Sequence, residues 1–78
     1  MPTVLRVRGF RFFFFSNEGH EPPHIHVESD GNYAKFWLRP IALARSVGYN
    51  THELRRLRRL VESYRDFFEE KWYEHFGG

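Results

Sequence analysis

Short runs of alternating apolar and polar residues fill the first half of the chain. Side chains on a strand point to the two faces of a sheet in turn, so this alternation predicts strands rather than helices. Four such runs lie at residues 4–8, 10–16, 24–29 and 33–39. Residues 41–49 fit either a short edge strand or a loop. The pattern therefore predicts an antiparallel sheet of about four strands.

The segments between these strands contain turn and loop residues. Gly9 separates the first two strands, and Asp30-Gly31-Asn32 separates the last two, which predicts a hairpin there. Residues 17–23 are polar and end in two prolines. Because successive prolines cannot donate hydrogen bonds to a sheet, this stretch is predicted to be a loop.

The second half of the chain changes to a helical period. Asn50, followed by Glu53 three residues later, fits a capping box at the start of a helix that ends near His75, before Gly77-Gly78. One amphipathic helix cannot bury its apolar side alone, so we expect it to pack on one face of the sheet. The predicted fold is α+β, with one long C-terminal helix on the sheet, in a single domain over residues 1–78. The apolar positions of the helix are Leu54, Leu57, Leu60, Val61, Tyr64, Phe67, Phe68 and Trp72.

Composition limits the class of protein. The chain has 78 residues and no cysteine, so neither disulfides nor thiolate metal sites can support its small core, and its aromatic content of 19% is the compensating feature. Arginines interrupt the apolar N-terminal residues, so these residues do not form the apolar core of a signal peptide. No apolar run reaches the roughly 18 residues of a membrane span. We expect a soluble, cytoplasmic protein with no membrane association. The net charge of +2 is too small to indicate a nucleic-acid partner by itself.

Alternation gives the two faces of the sheet different chemistry. One face is wholly apolar, and the helix is expected to cover it; its members are Leu5, Val7, Phe12, Phe14, Ile25, Val27, Ala34, Phe36 and Leu38. The other face mixes basic groups with aromatic rings, and no predicted element is large enough to cover it. We call it the basic–aromatic face, with members Arg6, Arg8, Arg11, Phe13, Phe15, His24, His26, Glu28, Tyr33, Lys35, Trp37 and Arg39.

Three interpretations of the basic–aromatic face remain open. In the first, its rings are covered by protein, in a homodimer or with a small cognate partner. Its cations and rings also suit RNA or DNA, since cations attract phosphates and rings stack on bases. Many small antiparallel sheets simply leave one face in water. The binding residues that we predict here are Arg11, Phe13, Phe15, His24, His26, Lys35, Trp37 and Arg39.

Charges on the predicted helix are segregated by sign. Four arginines lie in its first half, whereas acidic residues dominate its second half. Like charges four residues apart repel by a few tenths of a kcal/mol, so a helix adapted only to solvent would mix the signs. The segregation favours an acidic partner at the arginine end, or antiparallel pairing with a second copy, although solvated charge runs are common. We add Arg55, Arg58 and Arg59 to the predicted binding residues.

Three histidines, His20, His24 and His26, flank the Pro22-Pro23 pair. In a metal-independent ribonuclease they would supply the general base, with Arg11 or Arg39 stabilising the phosphorane-like charge. His24 and His26 are also candidate zinc ligands, but such pairs recur without metal, so no metal or cofactor is predicted. The favoured alternative is structural: the histidines order the loop through hydrogen bonds.

Five segments of the chain match the pattern of a known family: residues 1–5, 11–17, 20–28, 34–38 and 53–61. The block His20-Glu-Pro-Pro-His-Ile-His-Val-Glu28 is the most distinctive. Together these segments resemble the DUF4160 family of short bacterial proteins, which has no established activity. The resemblance implies a bacterial cytosolic setting and a protein partner, because members often lie beside a second small protein in an arrangement that suggests a toxin–antitoxin pair.

These observations favour a non-enzymatic interaction module over an enzyme. We predict one component of a toxin–antitoxin-like pair that binds a partner protein, with nucleic acid as a second potential ligand, through the basic–aromatic face. The alternative from another class is a ribonuclease-type toxin that uses His20, His24 and His26.

Overall fold

The computed structural model describes residues 3–77 and has five strands followed by one helix. The strands form one antiparallel sheet in which each strand pairs with its neighbours in the chain. The predicted α+β class is therefore confirmed. The elements are β1 (Thr3–Val7), β2 (Phe10–Phe13), β3 (His24–Ser29), β4 (Asn32–Leu38), β5 (Ile41–Val47) and α1 (Thr51–Phe76).

The sheet has five strands rather than about four. The additional strand is the edge strand β5. It lies in residues 41–49, whose sequence pattern fits either a short edge strand or a loop. β2 ends at Phe13, three residues before the predicted end at Ser16. It ends there because the next two rings leave the plane of the sheet in opposite directions: Phe14 packs against Trp72 of α1, whereas Phe15 packs against His26 of β3.

Two of the three hairpins with two-residue turns have left-handed backbone in the turn. The φ angles are 52° and 83° at Arg8 and Gly9, and 49° and 80° at Asp30 and Gly31. Positive φ at both central residues is the geometry of a type I′ turn, whose twist matches that of the flanking strands. The turn residues therefore fix the register of β1 with β2 and of β3 with β4.

The predicted capping box starts the helix α1. The Asn50 side chain accepts a hydrogen bond from the Glu53 backbone N–H at 2.8 Å, and Glu53 Oε1 accepts one from the Asn50 N–H at 3.0 Å. The helix ends at Gly77, whose left-handed backbone lets its N–H donate to the Tyr73 carbonyl. Within residues 3–77, no helix is long and apolar enough to cross a membrane.

The helix covers the apolar face of the sheet, as predicted. Phe12 and Phe68 are both fully buried, and their ring centroids lie 5.1 Å apart across the interface between sheet and helix. Leu5 and Val7, on the edge strand β1, are only partly buried against this core. The fully covered residues are Phe12, Phe14, Ile25, Val27, Ala34, Phe36 and Leu38 of the first half, and Leu57, Val61, Phe68 and Trp72 of the helix.

The basic–aromatic face is not uncovered, and that part of the prediction is wrong. The loop at residues 14–23 folds back over it, and Phe13, His24 and His26 keep only 2%, 0% and 1% of their exposure. These three residues therefore cannot touch a partner directly in this conformation, although they were predicted to bind. The loop covers the face because its polar side chains, Glu18 and Glu21, find partners on the strands below.

Candidate functional site

Three side chains meet beneath this loop. Glu18 Oε1 lies 2.8 Å from His24 Nε2 and 2.6 Å from His26 Nε2. The two histidines are two residues apart on β3, so both rings project from the same side of the sheet, and the loop brings the carboxylate between them. The ligand-type atoms of the three residues all lie within 4.8 Å of one another. We call Glu18, His24 and His26 the Glu-His-His cluster.

His24 has an oxygen acceptor at each ring nitrogen. Its Nδ1 lies 2.9 Å from the Pro22 carbonyl oxygen, which can only accept, so Nδ1 carries a hydrogen. Its Nε2 faces the carboxylate of Glu18, which is also an acceptor when ionised. A neutral imidazole has a single N–H. The second contact is therefore satisfied only by an additional proton on His24 or by another cation at that position.

His26 is held in a box of aromatic rings. Its ring lies parallel to those of Phe13 and Tyr33, with centroid distances of 5.4 and 5.7 Å, and Phe15 packs edge-on at 4.5 Å. The Tyr33 hydroxyl lies 2.7 Å from Nδ1, so it can donate there while Nε2–H donates to Glu18. Burial lowers the pKa of His26, and the hydrogen bond to Glu18 opposes this only in part. The ring is therefore neutral at neutral pH.

Glu18 is an ionised carboxylate in a mostly covered position. Burial by itself raises the pKa of Glu18, but the hydrogen bonds with His24 and His26 and the electrostatic attraction of the two rings together lower it by more, and the net pKa falls below the ordinary value. The side chain keeps 17% of its exposure. The cluster thus holds a negative charge against two imidazoles, and it favours any cation that binds between them.

Two basic side chains of the same face are already paired with carboxylates. Arg11 Nη1 lies 2.8 Å from Glu28 Oε1, and Lys35 Nζ lies 2.9 Å from Glu21 Oε1. The hydrogen bond from Lys35 lowers the pKa of Glu21. The ammonium of Lys35 also lies 4.5 Å from the centroid of the Trp37 ring. These pairs reduce the positive charge that the face can offer to a phosphate.

Arg39 does not lie on the basic–aromatic face, contrary to the prediction. β4 ends at Leu38, so the alternation of side chains stops one residue before Arg39. The guanidinium instead forms an ion pair with Glu69, which is buried on α1. The hydrogen bond from Arg39 to Glu69 raises the pKa of Arg39. This residue ties the turn between β4 and β5 to the helix.

The predicted arginine end of the helix is exposed and lies beside β5. Arg58 is 3.4 Å from Glu62 and donates to the Ile41 carbonyl oxygen at 3.1 Å, so it links the helix to the edge strand. Arg55 and Arg59 are exposed and form no ion pair within residues 3–77. They are the more available cations of the predicted helix set.

His20 does not join the cluster. Its side chain is 76% exposed, and its one carboxylate contact is to Glu21 at 3.9 Å. Glu18 occupies the position that the sequence interpretation gave to His20. The position of Glu18 in the sequence does not indicate that this loop residue contacts the strand that follows. Only the three-dimensional fold identifies Glu18 as a member of the cluster. The fold therefore does not bring together the three histidines of the ribonuclease alternative, since His24 and His26 are buried and the exposed His20 stands apart.

A hollow of about 460 Å³ opens on the basic–aromatic face beside the cluster. Glu18 and His26 line its inner end, and half-buried aromatic side chains form its walls. Ala44 and Arg45 reach it from β5, the strand that the sequence pattern left undecided. We call it the face hollow, lined by Phe15, Glu18, His26, Tyr33, Lys35, Trp37, Ala44 and Arg45.

Fold and site together define a small α+β protein with a Glu-His-His cluster beside an aromatic hollow. The family model described as "Domain of unknown function (DUF4160)" matches residues 9–73, which include the cluster and the hollow. The chain therefore belongs to the DUF4160 family, and the predicted resemblance is confirmed. No curated protein and no solved structure matches it.

Proposed function

We propose that this chain is a protein-interaction module that binds a partner protein at the face hollow. The observation that supports this proposal is the half-buried state of Phe15, Tyr33 and Trp37 around one concave site. Aromatic side chains that are preordered and partly exposed are the usual anchors of protein interfaces, since they remove much apolar area from water at small entropic cost.

The charges around the hollow favour a protein over a nucleic acid. Lys35 is neutralised by Glu21, and Arg11 by Glu28, so a phosphate backbone would have to displace these carboxylates. Arg45 forms no ion pair within residues 3–77 and lines the hollow. A partner segment with an apolar side chain beside one acidic side chain would complement this arrangement, because the apolar group would meet the rings and the carboxylate would meet Arg45.

The edge strand β5 provides the second contact in this proposal. Edge strands present unpaired backbone groups to which an extended segment of another chain can add as a further strand. β5 lies at the edge next to the hollow, and Leu43 and Val47 keep 42% and 51% of their exposure. A strand added there would cover these two residues and would carry alternate side chains over the face hollow.

The partner that we propose is the second small protein of a toxin–antitoxin-like pair, the setting that the family resemblance implies. Two other partners have distinct consequences. Self-association through β5 would give a homodimer of this chain. Nucleic-acid binding would fall steeply with salt, with a log–log slope of about −0.7 per phosphate contacted on a single strand.

Affinity purification from the native cell tests the proposal with the wild-type chain, Trp37→Ala and the control Tyr73→Ala. Tyr73 is an aromatic residue on the helix with 44% exposure, so it matches Trp37 in kind but lies away from the hollow. We expect one protein in stoichiometric amount with the wild type and with Tyr73→Ala, resistant to nuclease and to high salt. Trp37→Ala should lose most of it while remaining folded by circular dichroism.

Three outcomes would contradict the proposal. The partner could be retained by Trp37→Ala as well as by the wild type. The retained material could be RNA or DNA that is released by salt. The chain could also recover only itself, with analytical ultracentrifugation reporting a dimer that Leu43→Asp dissociates.

A further inference from the structure

We infer that Glu18, His24 and His26 form a binding site for one divalent transition-metal ion of the zinc class. The sequence pattern had suggested His24 and His26 as candidate ligands but predicted no metal, because a two-histidine pair on a strand is not specific. The structure adds a third ligand from the loop. This inference does not rest on the proposed binding function.

The donor atoms suit such an ion. Two imidazole nitrogens and one carboxylate oxygen are ligands that zinc commonly takes, and all three converge within 4.8 Å. Three protein ligands leave one tetrahedral position for water or for a group from another molecule. Glu18 and His26 also line the face hollow, which gives an ion a path from solvent to the cluster.

The outer nitrogens of both rings have partners of the kind that orient metal-bound imidazoles. His24 Nδ1–H donates to the Pro22 carbonyl oxygen, and with a metal on Nε2 the hydrogen of His26 would move to Nδ1 and donate to the Tyr33 hydroxyl oxygen. Such contacts set the orientation of each ring and direct Nε2 toward the metal position. Here both Nε2 atoms are directed at the same carboxylate oxygen.

The contact between His24 and Glu18 is the place where a metal ion would bind. His24 is fully buried, its only N–H as a neutral ring is committed to Pro22, and its Nε2 lone pair faces a carboxylate oxygen at 2.8 Å. A proton on Nε2 satisfies both atoms in the metal-free protein. A metal ion in the place of that proton would form two coordinate bonds instead. The nearby ammonium of Lys35 is paired with Glu21 at 2.9 Å, which weakens its repulsion of the ion.

Metal binding requires the three ligands to adjust their spacing. In a tetrahedral zinc site, with bonds of about 2.0–2.2 Å, neighbouring ligand atoms lie about 3.3 Å apart. Glu18 Oε1 is now 2.6 and 2.8 Å from the two nitrogens. The carboxylate must therefore withdraw by roughly 0.5–0.7 Å to reach that spacing. Glu18 lies in an irregular loop and is partly exposed, so it can move. The two imidazole nitrogens, which lie within 4.8 Å of each other, must reach the same spacing.

Metal titration of the untagged full chain, stripped with a chelator, tests the inference. Zn²⁺ and Co²⁺ are added in competition with a chromophoric chelator, and the visible spectrum of the Co²⁺ form is recorded. We expect one ion per chain, the intense d–d absorption of a four-coordinate cobalt site, and a higher melting temperature. Glu18→Gln should weaken the affinity at least tenfold and remove the cobalt bands.

Matched variants separate this site from other histidines. His20→Ala removes an exposed histidine near the cluster and should leave the affinity unchanged. His24→Gln removes a buried ligand, and circular dichroism shows whether this variant folds. If it does not fold, the test depends on Glu18→Gln alone, which changes a residue in the partly exposed loop. The inference is overturned if the wild type binds no stoichiometric ion, if Glu18→Gln binds as tightly as the wild type, or if His20→Ala abolishes binding.

Discussion

Replacing Glu18 by alanine should destabilise the metal-free protein far more than an ordinary loop substitution does. Glu18 Oε1 is the shared partner of two buried imidazole nitrogens, at 2.8 and 2.6 Å. Each hydrogen bond to a charged group contributes about 1.5–3 kcal/mol. Because the face hollow lets water reach the cluster, we expect roughly half of the sum to be recovered, which leaves a loss of about 1.5–3 kcal/mol.

Urea and thermal denaturation in the presence of a chelator measure this loss. For a domain of this size, about 4–8 °C of melting temperature corresponds to each kcal/mol, so Glu18→Ala should lower it by roughly 6–24 °C. Glu21→Ala is the matched control, since Glu21 is a carboxylate of the same loop that pairs with Lys35 near the surface. It should cost less than about 1 kcal/mol. Equal, small effects of the two substitutions would refute the reasoning, because the loop would then not be held by the cluster.

Three further predictions concern the fold that supports the site. Phe12→Ala should lower the free energy of unfolding in urea by about 3–5 kcal/mol, because the ring is fully buried against Phe68; a loss below about 1 kcal/mol would contradict that packing. Asn50→Ala should cost about 1 kcal/mol by removing the helix cap, and unchanged stability would argue against the capping box. Burial raises the pKa of Tyr49, although its hydrogen bond with Ser29 lowers it in part. The folded protein therefore favours the neutral phenol of Tyr49. This preference stabilises the fold fully below the ordinary pKa of 10.0, and the stabilisation is lost as the pH rises through the higher pKa of the folded state. Urea denaturation at alkaline pH should show this loss in the wild type and less of it in Tyr49→Phe.

The elements with a regular period could be predicted from the sequence. The alternation over residues 24–29 and 33–39 located β3 and β4 to within one residue, and the Asp30-Gly31 pair located their turn. The helix and its capping box followed from apolar spacing and from Asn50 with Glu53. Periodicity and turn chemistry are local signals, so a single sequence carries them directly.

The position of the loop could not be predicted, and the site depends on it. An irregular segment has no period, so nothing in residues 14–23 indicates which face the chain crosses after it leaves β2. The carboxylate of Glu18 was therefore overlooked, and His20 was assigned to the cluster because it is a histidine near two others. Arg39 was misplaced for a related reason, since strand alternation was extended one residue past the end of β4.

The basic–aromatic face was predicted to be open, but a polar loop buries several of its residues. We expected this face to be open because the sequence predicts no further helix or strand that could cover it. A loop can also cover a face of the sheet, provided that its polar groups find hydrogen-bonding partners there. Two carboxylates meet two imidazoles and an ammonium at this position, so the loop can close over the sheet without leaving buried polar side chains unpaired. What stays accessible is the face hollow with its half-buried rings.

Accessibility of the histidines tests the account most directly, because its central claim is that the loop closes over His24 and His26. Diethyl pyrocarbonate treatment of the folded protein, followed by peptide mass spectrometry, should modify the exposed residues His20, His52 and His75 and leave His24 and His26 unmodified. Modification of His24 and His26 at the rate of His20 in the folded protein would contradict the closed loop, and with it the Glu-His-His cluster.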